Sequence, residues 1–217
     1  MAPKSPPKLR RFSTSAAAIE QRAASSKPNT RRSDSSQQFR YSMAQDAGHA
    51  LRQIGVVDAQ GRSAAWSGED CTPWFGQIVE PHMAVQGNML VGEAVLLAMA
   101  AAFRASEELD LDERMLCSLE AGDTAGGDKR GRQSAALKLY HQQPFPLLDV
   151  RVDEHPDPVT ELRRVHTIAR AETLPFVQQM PTDVGGAGDV HPAVLHLLGL
   201  SPAERASMRK PSPPESP

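Results

Sequence analysis

Three stretches of this chain carry residue types that could do chemistry. Gln86-Gly87-Asn88 could set a backbone N–H beside an amide side chain, the donor pair that acyl transfer needs for a developing oxyanion. The same residues also fit a tight turn with Gly and Asn in left-handed positions, a more common object. The segment from Gly122 to Gly131 begins like a phosphate-binding loop, with four residues between Gly122 and Gly127. Asp128 then stands where such a loop needs Lys. Asp128, Arg130 and Gln133 instead suit the lip of a ligand cleft, with Arg130 the side chain suited to an acidic ligand. Cys71, beside Asp70 and with His82 downstream, has the residue types of an activated thiol. A lone Cys in a domain of small residues is more often a quiet core filler.

Metal chemistry is not expected. Asp153-Glu154-His155-Pro156-Asp157 has ligand residue types, but neighbours on an extended chain point apart and Asp157 suits a helix N-cap. His191 and His196 would face about 140° apart on a helix. No cofactor motif survives this reading, so no cofactor is assigned.

The elements that must position these residues are short. Leu51 to Val57, the turn Asp58-Ala59-Gln60-Gly61 and Arg62 to Ser67 predict a β-hairpin. Phe75–Val79 and Met83–Gln86 predict two more strands. Glu93 to about Ala105 predicts a helix buried on more than one face, because it is apolar from Ala94 to Phe103. A second helix starts at Asp110, with Glu113 at capping-box spacing, Leu111, Met115 and Leu119 inward, and Gly122 as its stop. Ser134–Tyr140 and Leu147–Val152 predict strands, the latter alternating Leu148, Val150 and Val152 against Asp149, Arg151 and Asp153. A third helix follows Asp157, with Pro158 in its first turn and Leu162, Val165 and Ile168 or Ala169 inward. Strands, helices, strands, helix is an α+β order, with helices covering one face of a mainly antiparallel sheet.

Composition bounds the rest. The 217 residues carry a net charge of −2, but it is unevenly spread. Nine Lys or Arg against Glu20 and Asp34 give residues 1–42 a balance of +7, and the remainder stands at −9. The first 46 residues, rich in Ser, Ala and Pro, cannot bury enough apolar surface to offset their ordering entropy. They predict a disordered basic segment ahead of a domain at 47–172. Residues 173–217 read as a low-complexity extension with a possible short helix and a Pro-rich end from Lys210. The basic leader resembles a transit peptide, but a solvated tail on a cytoplasmic protein is the simpler reading. Phe12, Phe39 and Tyr41 are too few aromatics for a nucleic-acid arm, so nucleic acid is not an expected partner. Two cysteines exclude a disulfide-dense scaffold, and no apolar run is long enough to span a bilayer.

Four blocks in order, SGEDCTPWFG, VQGNMLVGEAVLLAMAAAF, LEAGDTAGGDKRGRQSAAL and LLDVRVDEHPDPVTELRRV, resemble the bacterial domain of unknown function 1028 family. The resemblance spans about residues 50–170 and implies a fold similar to the N-terminal-nucleophile (Ntn) hydrolases, a four-layer αββα sandwich. In such hydrolases the first mature residue, Thr, Ser or Cys, attacks with its side chain while its own α-amine serves as base. Here Ala2 follows the initiator, and none of the fifteen glycines precedes Ser, Thr or Cys. Family members also open with a strand pair where this chain has its basic leader. The expectation is therefore a partial sandwich of amide-hydrolase ancestry without a nucleophile. The alternatives are a non-catalytic binding or structural module and a fragment of a longer member. A sheet lacking strands would also leave a surface for a second copy to cover.

Overall fold

Asp58 starts the first turn by accepting the N–H groups of Gln60 and Arg62 on its carboxylate, each at 2.9 Å. Gly61 completes it at φ +75°, a left-handed position that only glycine takes without strain. The strands on either side, β1 (Gln53–Val57) and β2 (Ser63–Ser67), pair antiparallel with Gln53 opposite Ser67 and Gly55 opposite Ala65. A second hairpin, β3 (Gly76–Glu80) and β4 (Met83–Gly87), pairs Gly76 with Gly87 and Ile78 with Val85. The third, β5 (Ala135–Tyr140) and β6 (Pro146–Val152), pairs Leu137 with Val150 and slips register at Leu139/Tyr140. Among the described residues the strands thus form three two-stranded antiparallel sheets. This computed structural model describes residues 43–141 and 145–178, with 39, 41, 143, 180, 196 and 199 beside them. The basic leader up to residue 38 and the Pro-rich end lie outside the described residues.

Strand alternation divides the β3–β4 sheet into two faces. Met83 and Val85 point into a core with Leu90 and the helix α1 (Ala94–Ala105), which contributes Val95, Leu96, Met99 and Ala100. Gln77 and Gln86 point the other way, toward β1–β2. A second core lies between β5–β6 and two further helices, α2 (Leu111–Thr124) and α3 (Pro158–Ile168). Leu116, Leu137 and Leu162 are at most 1% exposed there, and each contributes about 1.5–3 kcal/mol by leaving water. Phe103 packs against both cores and joins them. The class is α+β, as expected. The chain divides into two units, the first ending at Ala169; the second begins at Arg170 and includes α4 (Leu174–Gln178).

The structure corrects several expectations. α1 is buried on one face only, and Leu97 is 53% exposed on the other. Gly122 does not end α2 but lies inside it, where an added Cβ would come within 2.6 Å of Met99; it is a contact glycine that lets α1 and α2 approach. Asp110 and Asp157 stand at the N-caps of α2 and α3, yet neither makes a side-chain cap hydrogen bond. Glu113 reaches Arg163 of α3 instead of closing a capping box. On α3 the fully buried residue one turn after Leu162 is His166; of the two further inward candidates Ala169 is buried, while Ile168 is 42% exposed. No described helix is long and apolar enough to cross a membrane.

Candidate functional site

Three loops from distant parts of the sequence are laced together by backbone hydrogen bonds. The first, Cys71 to Trp74, lies between β2 and β3; the second, Asn88 to Val91, leads from β4 toward α1; the third, Gly126 to Gly131, follows α2. Met89 N–H donates to Thr72 O and Leu90 N–H to Trp74 O, both at 3.0 Å. Val91 N–H donates to Gly127 O at 3.1 Å, and Lys129 N–H to Met89 O at 2.8 Å. Leu90 and Asp128 form an isolated antiparallel bridge, and Lys129 Nζ caps the Pro73 carbonyl. Glycine makes the third loop possible. Gly126 and Gly127 sit at φ +110° and +53°, and a Cβ on Gly126 would meet Val91 Cγ2 at 2.7 Å.

Each candidate residue has a definite place in or beside this junction. The left-handed residue of the second loop is Met89, at φ +57°, not Gly87 or Asn88 as a simple turn would have it. A bulky non-glycine residue in that region is uncommon, and the surrounding bonds hold it there. Asn88 donates from Nδ2 to Gln53 Oε1 at 3.0 Å. The Gly87 carbonyl accepts from Gln53 Nε2 at 3.0 Å. Gln86 lies over Gly55, close enough that a Cβ there would fall 2.3 Å from its Oε1, and that oxygen is buried without a hydrogen-bond partner.

Asp128 and Arg130 form a local ion pair. The carboxylate accepts Arg130 N–H at 2.8 Å and Arg130 Nε at 3.0 Å. The Asp128 carboxylate raises the Arg130 pKa above its ordinary value. Arg130, read as the group for an acidic ligand, thus faces a carboxylate of its own chain. Arg132 is bidentate to Asp123 at 2.7 and 2.8 Å, which likewise holds its pKa up. A small pocket of about 40 Å³ opens here, with Asp123, Asp128, Arg132 and Gln133 beside an apolar floor of Val95, Met99, Leu119 and Val159. That volume suits a few waters or the tip of a small ligand. Gln133 donates to Glu154 at 2.9 Å, and its Oε1 is buried without a partner.

Cys71 is 5% exposed and its Sγ lies 3.5 Å from Arg52 O. His82 sits over Gly61 at the other hairpin's turn. No described hydrogen bond connects His82 to the thiol, so the trio of Cys71, Asp70 and His82 is not assembled as a hydrogen-bonded relay. Among the described residues no group of three or more His, Cys, Asp or Glu side chains could hold a metal ion.

Two polar groups escaped the sequence reading. Gln53 is an inward amide on a strand, legible only as a polar residue at a position where the hairpin faces a neighbour. The other is a buried cluster between α2 and α3. His166 Nε2 lies 2.8 Å from Asp112 Oδ2, while His166 Nδ1 lies 3.7 Å from Glu113 Oε1. Arg163 bridges Glu113 and Glu120, and those carboxylates raise its pKa. A histidine four residues after Leu162, on the inward stripe of α3, was the available signal.

The model of the DUF1028 family, a family of unknown function, matches residues 30–162. The chain belongs to the DUF1028 family. All three junction loops and the six strands of the described residues fall inside the DUF1028 match. A crystal structure of the DUF1028 protein SPO2555 from Silicibacter pomeroyi is 31% identical, with a TM-score of 0.59. The alignment covers 66% of this chain and 64% of that one, so this DUF1028 chain spans less than two thirds of that relative's length. No curated protein matches the chain.

Proposed function

We propose that the chain is a binding module built on an Ntn-hydrolase-like fold, with amide-hydrolase ancestry but no amidase chemistry of its own. The observation that carries this reading is the junction itself. Loops holding three of the four sequence blocks that resemble the family meet through four backbone hydrogen bonds, a degree of convergence that a mere connector does not need. The candidate chemical groups there are engaged with one another: Asn88 with Gln53, Arg130 with Asp128. Among the described residues no Ser, Thr or Cys side chain is hydrogen-bonded to a His, so no His-activated nucleophile is assembled there. The ligand would be a small polar molecule with a compact apolar tip, matching the pocket's apolar floor and ion-paired rim.

Purified chain incubated with simple primary and secondary amides is expected to release no ammonia or amine above buffer. Turnover abolished by Asn88→Ala would overturn this reading in favour of an amidase. A second copy of the chain is the proposed partner, covering sheet edges that two-stranded ladders leave open. Light scattering on the eluting protein should give about twice the 23.5 kDa chain mass; a monomer mass at the highest soluble concentration sinks the dimer.

A further inference from the structure

Where Gln53 and Ser67 meet Gln77 and Gly87, the β1–β2 and β3–β4 hairpins face each other through amides, a hydroxyl and backbone carbonyls. Gln53 stands at the centre of that seam. Its Nε2 lies 2.9 Å from Ser67 Oγ, 3.2 Å from Gly76 O and 3.0 Å from Gly87 O. Its Oε1 accepts the Asn88 side-chain N–H at 3.0 Å. Ser67 passes the chain on by donating to Gln77 Oε1, and Gln77 Nε2 donates to Ala65 O. Gly76 and Gly87 are the pair that closes the β3–β4 ladder, directly before the Asn88 loop.

We infer that Gln53 is the positioning residue of the junction: it fixes the orientation of the Asn88 amide and ties the Asn88 loop to the β1–β2 hairpin. The role needs a carboxamide. One end must donate to carbonyl and hydroxyl oxygens, and the other must accept from Asn88, so neither a carboxylate nor an alkyl chain fills it. Because Nε2 meets three oxygens and Oε1 meets a donor, the amide has one sensible orientation, and the Asn88 amide inherits it. The functional weight of Asn88 rests on the binding role proposed above; its positioning by Gln53 does not.

The test follows the Asn88 side-chain amide by nitrogen-15 NMR and needs no ligand. In Gln53→Ala the Asn88 NH2 signals should shift and their exchange with solvent should quicken. Ser118→Ala serves as control. It removes a buried bond to Met99 O on the α1–α2 side and should leave the Asn88 signals in place. Unmoved Asn88 signals in Gln53→Ala, or equal movement in the control, would overturn the assignment.

Gln53→Glu covers the case in which the alanine variant fails to fold. Protonated, the introduced carboxyl can donate to a carbonyl and accept from Asn88; ionised, it turns only acceptors toward Gly76 O and Gly87 O. Its proton is therefore held more tightly in the folded state than in the unfolded one, where the pKa is about 4.3. The variant should lie closest to wild type below that pH. Its deficit in Tm should grow as pH rises through the folded-state pKa. A deficit independent of pH would contradict the hydrogen-bond pattern. Amide release by the wild type, by contrast, would defeat the binding reading and leave this assignment standing.

Discussion

Replacing His166 with Ala is expected to cost about 3–5 kcal/mol of unfolding free energy, the cost of taking one partner from a buried charged or hydrogen-bonded pair. His166 is fully buried, and Asp112, its 2.8 Å partner, is 4% exposed. The pair joins the first turn of α2 to the last turn of α3. An acidic residue in the first turn of α2 also suits that helix's dipole. Truncation removes the ring's packing and leaves a buried carboxylate without its imidazole. Arg163 cannot replace the imidazole, because its guanidinium is already held between Glu113 and Glu120. Asp112→Asn keeps an acceptor opposite Nε2 and should cost only about 1 kcal/mol. Urea unfolding of the two variants beside wild type measures both. A loss below about 1 kcal/mol for His166→Ala would show that the α2–α3 contact rests on its apolar residues alone. Folded domains have about 5–15 kcal/mol in total, so the larger loss would bring a protein at the lower end of that range to the edge of unfolding.

Local features were legible in the sequence; long-range ones were not. The Asp58–Gly61 turn and the alternation of Leu148, Val150 and Val152 are decided within a few residues. The hairpin and the strand therefore appear where they were expected. Gly122 shows the opposite case. Its position after Leu119 fits a helix stop, and only the approach of Met99 from another helix gives its actual role. Asn88 was recognisable as a residue of interest, but its partner Gln53 lies 35 residues earlier on a strand that looks unremarkable alone. His166 was hidden differently. An apolar stripe reads Val165 as the inward residue, and a buried histidine is stable there only because Asp112, 54 residues away, meets it. The Gly-rich loop was legible as a turn with charged residues at a cleft. That Asp128 and Arg130 neutralise each other depends on local geometry that composition does not reveal.

The second large effect is expected at Gly126. Its φ of +110° is strained for any residue with a side chain, and most of all for a β-branched one. An added Cβ would also lie 2.7 Å from Val91 Cγ2. Backbone strain and the clash together put Gly126→Val about 3 kcal/mol below wild type. The loss should be local to the junction. Shifting this loop breaks the Val91–Gly127 and Lys129–Met89 bonds, and with them the third loop's hold on the Asn88 segment. The core around Leu137 and Val150 should keep its packing, since none of its buried residues contributes to those bonds.

Amide hydrogen exchange at Met89, Leu90, Val91 and Lys129, in wild type and in Gly126→Val, tests the central claim that three separate loops form one cooperative junction. In wild type the four amides should be protected and should open together, with one shared free energy. In the variant Val91 and Lys129 should lose protection first and most, Met89 and Leu90 should follow, and Leu137 and Val150 should stay protected. Wild-type amides exchanging independently, at the rate of exposed loop residues, would contradict the junction and the binding role built on it.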